Sequence, residues 1–310
     1  MSTIFRRAYA EDRTAMTAFR IEVAAHPPIR FAPETRPVFD ALMAQTPPAK
    51  GVVHTSNDLG KISGSWCRPR ETTRDAALLY LHGGAHVLGS AEAYRNFVGQ
   101  IASRTGLTTF TPNYRLAPEH PFPADLDDAR AAYDALVEAG FRKIVVAGDS
   151  AGGGLALSLI AEASMAARRG VGQRPAAAVV VSPWTDLSLA SPSLEDRAAA
   201  DPLLSRDSLA AAVDQYLGAH SRIDPRASPM FGALAGLPPT LIHVGEDEVL
   251  LDDARRYASA AEAAGSEVTL HVWEAMTHVF PSSVAFLRAA GEALDDMGTF
   301  VRAAVEGAGA

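Results

Sequence analysis

One cysteine, Cys67, is all that the 310-residue chain contains. A lone thiol excludes an intrachain disulfide framework. No apolar run approaches the roughly 20 residues that a membrane-spanning helix needs. The opening residues, MSTIFRRAYAEDRTAM, lack the unbroken apolar centre of a signal peptide. These absences lead to the expectation of a cytoplasmic protein. Positive charge is also in short supply: 28 basic residues face 36 acidic ones, for a formal charge of −8. That sign works against non-specific attraction to nucleic acid or to anionic lipid, so the expected partner is a small neutral molecule, with no nucleic acid and no membrane. No spacing of His, Cys, Asp and Glu has the pattern of a metal site, and no metal or organic cofactor is expected. There is no internal repeat or low-complexity tract. Only the final VRAAVEGAGA reads as a segment that frays.

What is present is a composition able to bury a large core, with 48% hydrophobic and 21% charged residues. The length fits one elaborated α/β domain. The first ~50 residues have helical periodicity (Met16, Phe19, Val23, then Val38, Leu42), broken by the HPP and TPP segments, and no strand is expected in them. Short apolar runs then alternate with helical patterns: ALLYLH at 77–82, LTTFTPNY at 107–114, KIVVAG at 143–148, AAVVVS at 177–182, TLIHVG at 240–245 and VTLHVW at 268–273. The alternation predicts a mostly parallel sheet with helices on both faces. Residues 185–228 are too long for one crossover and read as two or three short helices. The division expected is a core of 50–184 and 229–310, with a helical cap from 1–49 and 185–228 over the carboxyl ends of the strands, where open α/β sheets bind ligands.

In KIVVAGDSAGGGLALSL the segment Gly148-Asp149-Ser150-Ala151-Gly152 follows a buried-type strand and opens an apolar helix. That is the setting of a nucleophile elbow, in which a tight strand-to-helix turn admits only small flanking residues and lifts the serine hydroxyl clear. The Ala151 N–H at the helix start is placed to stabilise negative charge. A serine needs a base, and the base needs a carboxylate to orient it. His278, in EAMTHVF, is the one histidine after the last predicted strand; His243 and His271 sit inside strands and read as sheet residues. For the acid, GEDEVLLDDARRY leaves Asp247 and Glu248 as the candidates nearest the strand end. A second group of donors is expected in LHGGAHVLG, where Gly83, Gly84 and Ala85 let main-chain N–H groups approach a reacting carbonyl.

Taken together, HGGA, NYRLAPEHPFPADLDDARAAY, GDSAGGG, SPWTDL and the acid and histidine segments resemble the hormone-sensitive-lipase-like bacterial carboxylesterases, from about residue 75 to 285. The resemblance implies the α/β-hydrolase fold, a small-molecule ester as substrate, and hydrolysis of short- to medium-chain acyl esters by Ser150 and His278. Lactone hydrolysis, deacetylation, amide cleavage or a non-catalytic ligand-binding role, as in the plant gibberellin receptors, are the alternatives on this fold. Ala85 stands where the family has a third glycine, and Val279 where glycine is common. The family's Asp-Pro-Leu-x-Asp frame falls on Glu248-Val249-Leu250-Leu251-Asp252, which favours Glu248 over Asp247 as the acid. The resemblance further implies structural roles for Arg115 and Glu119, an ordering role for Asp149, and a homodimer formed through an edge strand.

Overall fold

The computed structural model describes residues 2–307. Nine strands among them form one sheet: β1 (Ser2–Arg6), β2 (Val52–Ser56), β3 (Gly64–Pro69), β4 (Ala76–Leu81), β5 (Thr108–Pro112), β6 (Lys143–Asp149), β7 (Ala177–Val181), β8 (Thr240–Gly245) and β9 (Val268–Trp273). The order is β1-β9-β8-β7-β6-β4-β5-β3-β2, parallel except where β3 pairs with β5 and with β2. The helices are α1 (Ala10–Ala24), α2 (Arg36–Met43), α3 (Ala91–Thr105), α4 (Ala124–Glu138), α5 (Ser150–Arg168), α6 (Ser193–Asp196), α7 (Arg206–Leu217), α8 (Leu251–Ala263) and α9 (Arg288–Gly307).

The unbroken apolar runs follow from coverage of both sheet faces. Successive strand residues point to opposite sides: Leu79, Leu81, Ile144, Val146, Val180 and Ile242 pack with α4, α5 and α8, while Leu78, Tyr80, Val145, Val179, Val181 and Leu241 pack with α3 and α9. A fully buried Leu or Val side chain contributes roughly 1.5–3 kcal/mol, so the central strands anchor everything mounted on their ends. Local signals fix the helix limits. Ser90 caps α3 by accepting the Ala93 N–H at 3.1 Å, and Gly106 ends it in the left-handed conformation.

The sheet sets the site by register. Leu81 of β4 lies beside Gly148 of β6, and Asp149 of β6 beside Val181 of β7, which in turn lies beside His243 of β8. The carboxyl ends of four neighbouring strands therefore align. The residues that follow each of them meet above the sheet.

Two sequence expectations need correction. The N-terminal segment is not wholly helical: β1 runs parallel to β9 at one edge of the sheet, so residues 2–6 belong with the sheet. Five residues ahead of a long helix give too short a pattern to stand out. The antiparallel pair β2–β3 was also not expected, because β2 is half exposed and mixes His54, Thr55 and Ser56 with its valines. The terminal helix α9 extends to Gly307, with Val301 and Val305 buried; the rest of the expected fraying segment lies outside the described residues.

Parts of residues 185–228 and of the N-terminal segment pack against the residues that follow β4 and β6. Leu209, Ala212, Val213, Tyr216 and Leu217 of α7 share an apolar cluster with Ala85 and Ala151, and Ile29, Phe31 and Phe39 pack against it. Helix α1 is seated differently. Met16 and Phe19 pack with Trp273, Met276 and Phe280, on both sides of His278 in sequence, and Asp12 accepts the Arg288 and Ala289 N–H groups at the start of α9 at 2.8 and 3.0 Å.

Candidate active site

Ser150 occupies the turn between β6 and α5 with φ +54°, a left-handed conformation that a non-glycine residue holds only when its surroundings enforce it. The enforcement is backbone crowding. A Cβ on Gly148 would lie 2.6 Å from the Leu81 carbonyl oxygen, and one on Gly152 would overlap the carbonyls of Leu81 and His82. Only glycine fits at either place.

His278 Nε2 is 2.8 Å from Ser150 Oγ, and its Nδ1 is 2.7 Å from Glu248 Oε2. Glu248 is fully buried. Its other oxygen, Oε1, accepts from Ser182 Oγ at 2.8 Å and from the Gly245 N–H at 2.6 Å, and Ser182 Oγ accepts the Val279 N–H at 3.1 Å. The histidine is thus held through its own ring and through the peptide that follows it. Burial by itself would lower the His278 pKa, but the hydrogen bond and negative charge of Glu248, with Asp201 and Asp149 beyond, outweigh it and leave the pKa above the usual value.

Asp247 is turned away from this chain. Arg20 of α1 donates to its Oδ2 at 2.8 Å, and a second arm of the same guanidinium reaches the Ala200 carbonyl. Of the two candidate acids, the structure brings Glu248 and not Asp247 to His278.

The loop after β4 approaches Ser150 from the other side. The amides of Gly84 and Ala85 make no hydrogen bond within the described residues, and Ala151 lies in the first turn of α5, where helix N–H groups lack an intrahelical acceptor. Gly83 departs from expectation: its N–H donates to Asp149 Oδ1 at 3.0 Å, so it serves the loop's position and is not free for a ligand. Asp149 also accepts from Tyr80 at 2.8 Å and from Tyr94 at 3.2 Å. Burial pushes its carboxyl up to about 6, a rise that these hydrogen bonds partly offset. The ordering role expected of Asp149 has this physical form. Gly84, at φ +120°, takes a conformation open to glycine alone, whereas Ala85 at +55° and His86 at +62° take left-handed ones that a side chain tolerates at a cost.

Arg115 and Glu119 are in structural ion pairs. Arg115 holds Asp128 through two nitrogens at 2.8 and 2.9 Å, and Glu119 pairs with Arg36 of α2, whose guanidinium also reaches the carbonyls of Val87 and Ala117. His243 and His271 lie in β8 and β9 as expected, where Trp273 donates to His243 Nδ1 at 3.0 Å. Two contributors were not foreseen, Ser182 and Arg20. The first is one serine among many; its only sequence signal is its place directly after a buried strand.

A cleft of about 240 Å³ opens in the N-terminal segment among Pro27, Pro28, Ile29, Arg30, Thr35 and Val38. It does not include Ser150. Its wall residue Ile29 also packs on the apolar cluster of Ala85 and Ala151, so cleft and site share one partition. Among the described residues there is no group of three or more metal-ligating side chains, and no helix long and apolar enough to cross a membrane.

Residues 78–282 of the chain, which hold these side chains and most of the sheet, match a known family model, that of the alpha/beta hydrolase fold. The chain belongs to the α/β hydrolases. Within that fold it is similar to an acetyl-hydrolase of Streptomyces hygroscopicus, 41% identical with 79% of this chain and 81% of the relative covered, and to an esterase of Acinetobacter venetianus, 35% identical with 86% and 87% covered. A solved esterase of the bacterial hormone-sensitive lipase family superposes on this hydrolase with a TM-score of 0.88 at 33% identity, covering 96% of this chain and 99% of that one. This α/β hydrolase is a member of that esterase group.

Proposed function

We propose that the protein is a serine carboxylesterase that cleaves short- to medium-chain acyl esters through an acyl-enzyme. Ser150 Oγ attacks the acyl carbonyl as His278 Nε2 takes its proton, and Glu248 stabilises the imidazolium through Nδ1–H. The amides of Gly84, Ala85 and Ala151 hold the negative charge that develops on the carbonyl oxygen. The alcohol leaves with the proton from His278. Water, deprotonated by the same nitrogen, then attacks the acyl carbonyl and releases the acid, restoring Ser150.

The observation that carries this reading is the unbroken chain from Ser150 Oγ through both ring nitrogens to Glu248, 2.8 and 2.7 Å. The short acyl chain is supported by relatives named acetyl-hydrolase and ethyl acetate hydrolase, the latter from Pseudomonas putida and 36% identical over 71% of this chain. Residues 7–49 and 185–228 act as the cap that shapes the pocket. No cofactor takes part in any step.

The test is hydrolysis of p-nitrophenyl butyrate by wild type and Ser150→Ala. A loss of more than about a thousandfold is expected, and equal rates would end the reading. The matching anilide separates ester from amide cleavage, with the ester the faster substrate. The reading extends to a cytoplasmic location, tested by cell fractionation, and to a homodimer through an edge strand. For the latter, β1 lies at a sheet edge with Ile4 and Phe5 exposed; a monomer in sedimentation would remove it.

A further inference from the structure

The proposed triad does not hold the only histidine–carboxylate pair beside the oxyanion amides. His86 directly follows Ala85, and its Nδ1 is 2.7 Å from Asp125 Oδ2. Asp125 is buried, and its Oδ1 accepts from Tyr216 Oη at 3.0 Å and from the Leu126 N–H at 2.8 Å. The Tyr216 ring lies flat on the imidazole, centroids 3.8 Å apart and planes within 5°. The His86 carbonyl accepts the Ala117 N–H at 2.9 Å.

This is a large investment in the orientation of one ring. It is held in a left-handed conformation, stacked on one face and hydrogen-bonded at one nitrogen. Because the Asp125 oxygens accept every bond given to them, Nδ1 is the donor, and in the neutral ring Nε2 carries a lone pair. Nε2 makes no hydrogen bond within the described residues and keeps a small opening to solvent, on a residue that is 3% exposed.

A buried donor stands next to it. Trp184 is 2% exposed and its Nε1–H has no partner among the described residues. Its ring centroid is 6.2 Å from that of His86, and its backbone N–H donates to the Ser150 carbonyl at 3.0 Å. Both rings belong to the surroundings of the apolar cluster that holds Ala85 and Ala151. A buried polar atom without a partner costs about 1–3 kcal/mol, a cost that falls on the Trp184 N–H; a group that accepts from it and donates to the open His86 Nε2 removes that cost and uses both nitrogens.

Resting on the esterase reading, the geometry points to His86 and Trp184 as a specificity-determining subsite for a hydroxyl group of the ester substrate. A hydroxyl donates to His86 Nε2 and accepts from Trp184 Nε1–H, through hydrogen bonds of about 2.9 Å. A methyl in its place leaves both nitrogens unsatisfied. A site built for a hydroxyl rejects the analogue that lacks it far more strongly than an apolar pocket separates homologues. The substrate class is therefore a hydroxylated ester, such as a hydroxyacyl ester or a partly acylated polyol.

The experiment compares near-isosteric pairs: p-nitrophenyl β-hydroxybutyrate against p-nitrophenyl isovalerate for the acyl side, and hydroxyethyl acetate against propyl acetate for the alcohol side. In wild type, kcat/KM is expected to favour the hydroxyl member of one pair by at least about tenfold, which also tells which side of the ester enters the subsite. In His86→Phe and in Trp184→Phe the same ratio should fall towards one, a selectivity change that loss of stability alone does not produce. Ratios at or below one in both pairs mean that water fills the subsite, and overturn the inference while leaving the esterase intact. A monosuccinyl ester preferred over both pairs also overturns it, since that requires a cationic ring. Should wild type cleave none of the four esters, the esterase reading falls and takes this one with it. If neither variant folds, the wild-type ratios decide.

Discussion

Arg20 Nη2 donates to Asp247 Oδ2 at 2.8 Å, and through that contact helix α1 holds the residue next to Glu248. Neighbouring carboxylates are thereby sent in opposite directions, one to a guanidinium at the cap and one to the imidazole over the sheet.

Exchanging the two acids separately distinguishes their roles. Glu248→Gln leaves a neutral side chain that no longer stabilises the imidazolium, and kcat should drop by about a thousandfold or more. Asp247→Asn breaks an ion pair whose side chains are 29% and 27% exposed, which makes it a weak contributor. Turnover should stay within about fivefold of wild type. Steady-state kinetics of both variants on one short ester gives the comparison.

The acid limb of the pH profile reports His278. Its pKa stands above the usual 6.5, so kcat/KM should rise with pH and level off only once a value above 6.5 has been passed. In Glu248→Gln the two largest influences that raise the pKa are gone, and burial, which lowers it, is opposed only by Asp201 and Asp149. The limb should then move to lower pH, although the plateau is far smaller. A limb that stays in place would show that Glu248 is not the group acting on the histidine.

Asp149 connects the end of β6 to the loop after β4. In Asp149→Asn the acceptor for the Gly83 N–H is weakened, the amides of Gly84 and Ala85 lose definition, and kcat should fall by about ten- to a hundredfold. Stability gives an independent reading. The folded carboxyl titrates at about 6 against an ordinary 3.8. Between those values the folded state holds a proton that the unfolded state has released, so the contribution of Asp149 to stability declines as pH rises through that window. Across that window, about two pH units wide, the asparagine variant should show a smaller change in melting temperature than wild type.

Gly152 tests the crowding at the elbow. In Gly152→Ala the methyl group would overlap two carbonyl oxygens that belong to the end of β4 and its following loop, and backbone cannot rotate away as a side chain can. The variant should lose about 3 kcal/mol of stability, read as a lower denaturant midpoint, and its remaining folded fraction should turn over poorly because the elbow has shifted. Unchanged stability would contradict the tight approach of α5 to β4.

Much of this was legible in the chain. The six central strands are buried on both faces, so their sequences are continuous apolar runs, and the serine, histidine and glycine-rich loop each follow one of those runs directly. The acid was narrowed to two neighbours, and what separates them is a guanidinium from more than 200 positions earlier, Arg20, which no local pattern announces. The edge strands were lost for the opposite reason. With one side open to solvent, β2 carries an irregular mixture, and β1 is too short to show its period. Gly83 was expected among the free donors because its motif supplies three consecutive amides. Which of them faces inward depends on Asp149, a residue 66 positions later.

Ala85, His86, Ser150, Ser182 and Val279 all have left-handed backbone, and all belong to the site or its immediate supports. Each non-glycine residue so placed costs about 1–2 kcal/mol relative to an ordinary conformation, and for the β-branched Val279 the fit is poorer still. These loops are consequently the tensest part of a molecule whose sheet is relaxed. On warming they should let go first, and brief heating followed by cooling on ice will register ester turnover fading at temperatures where circular dichroism still reports an intact sheet.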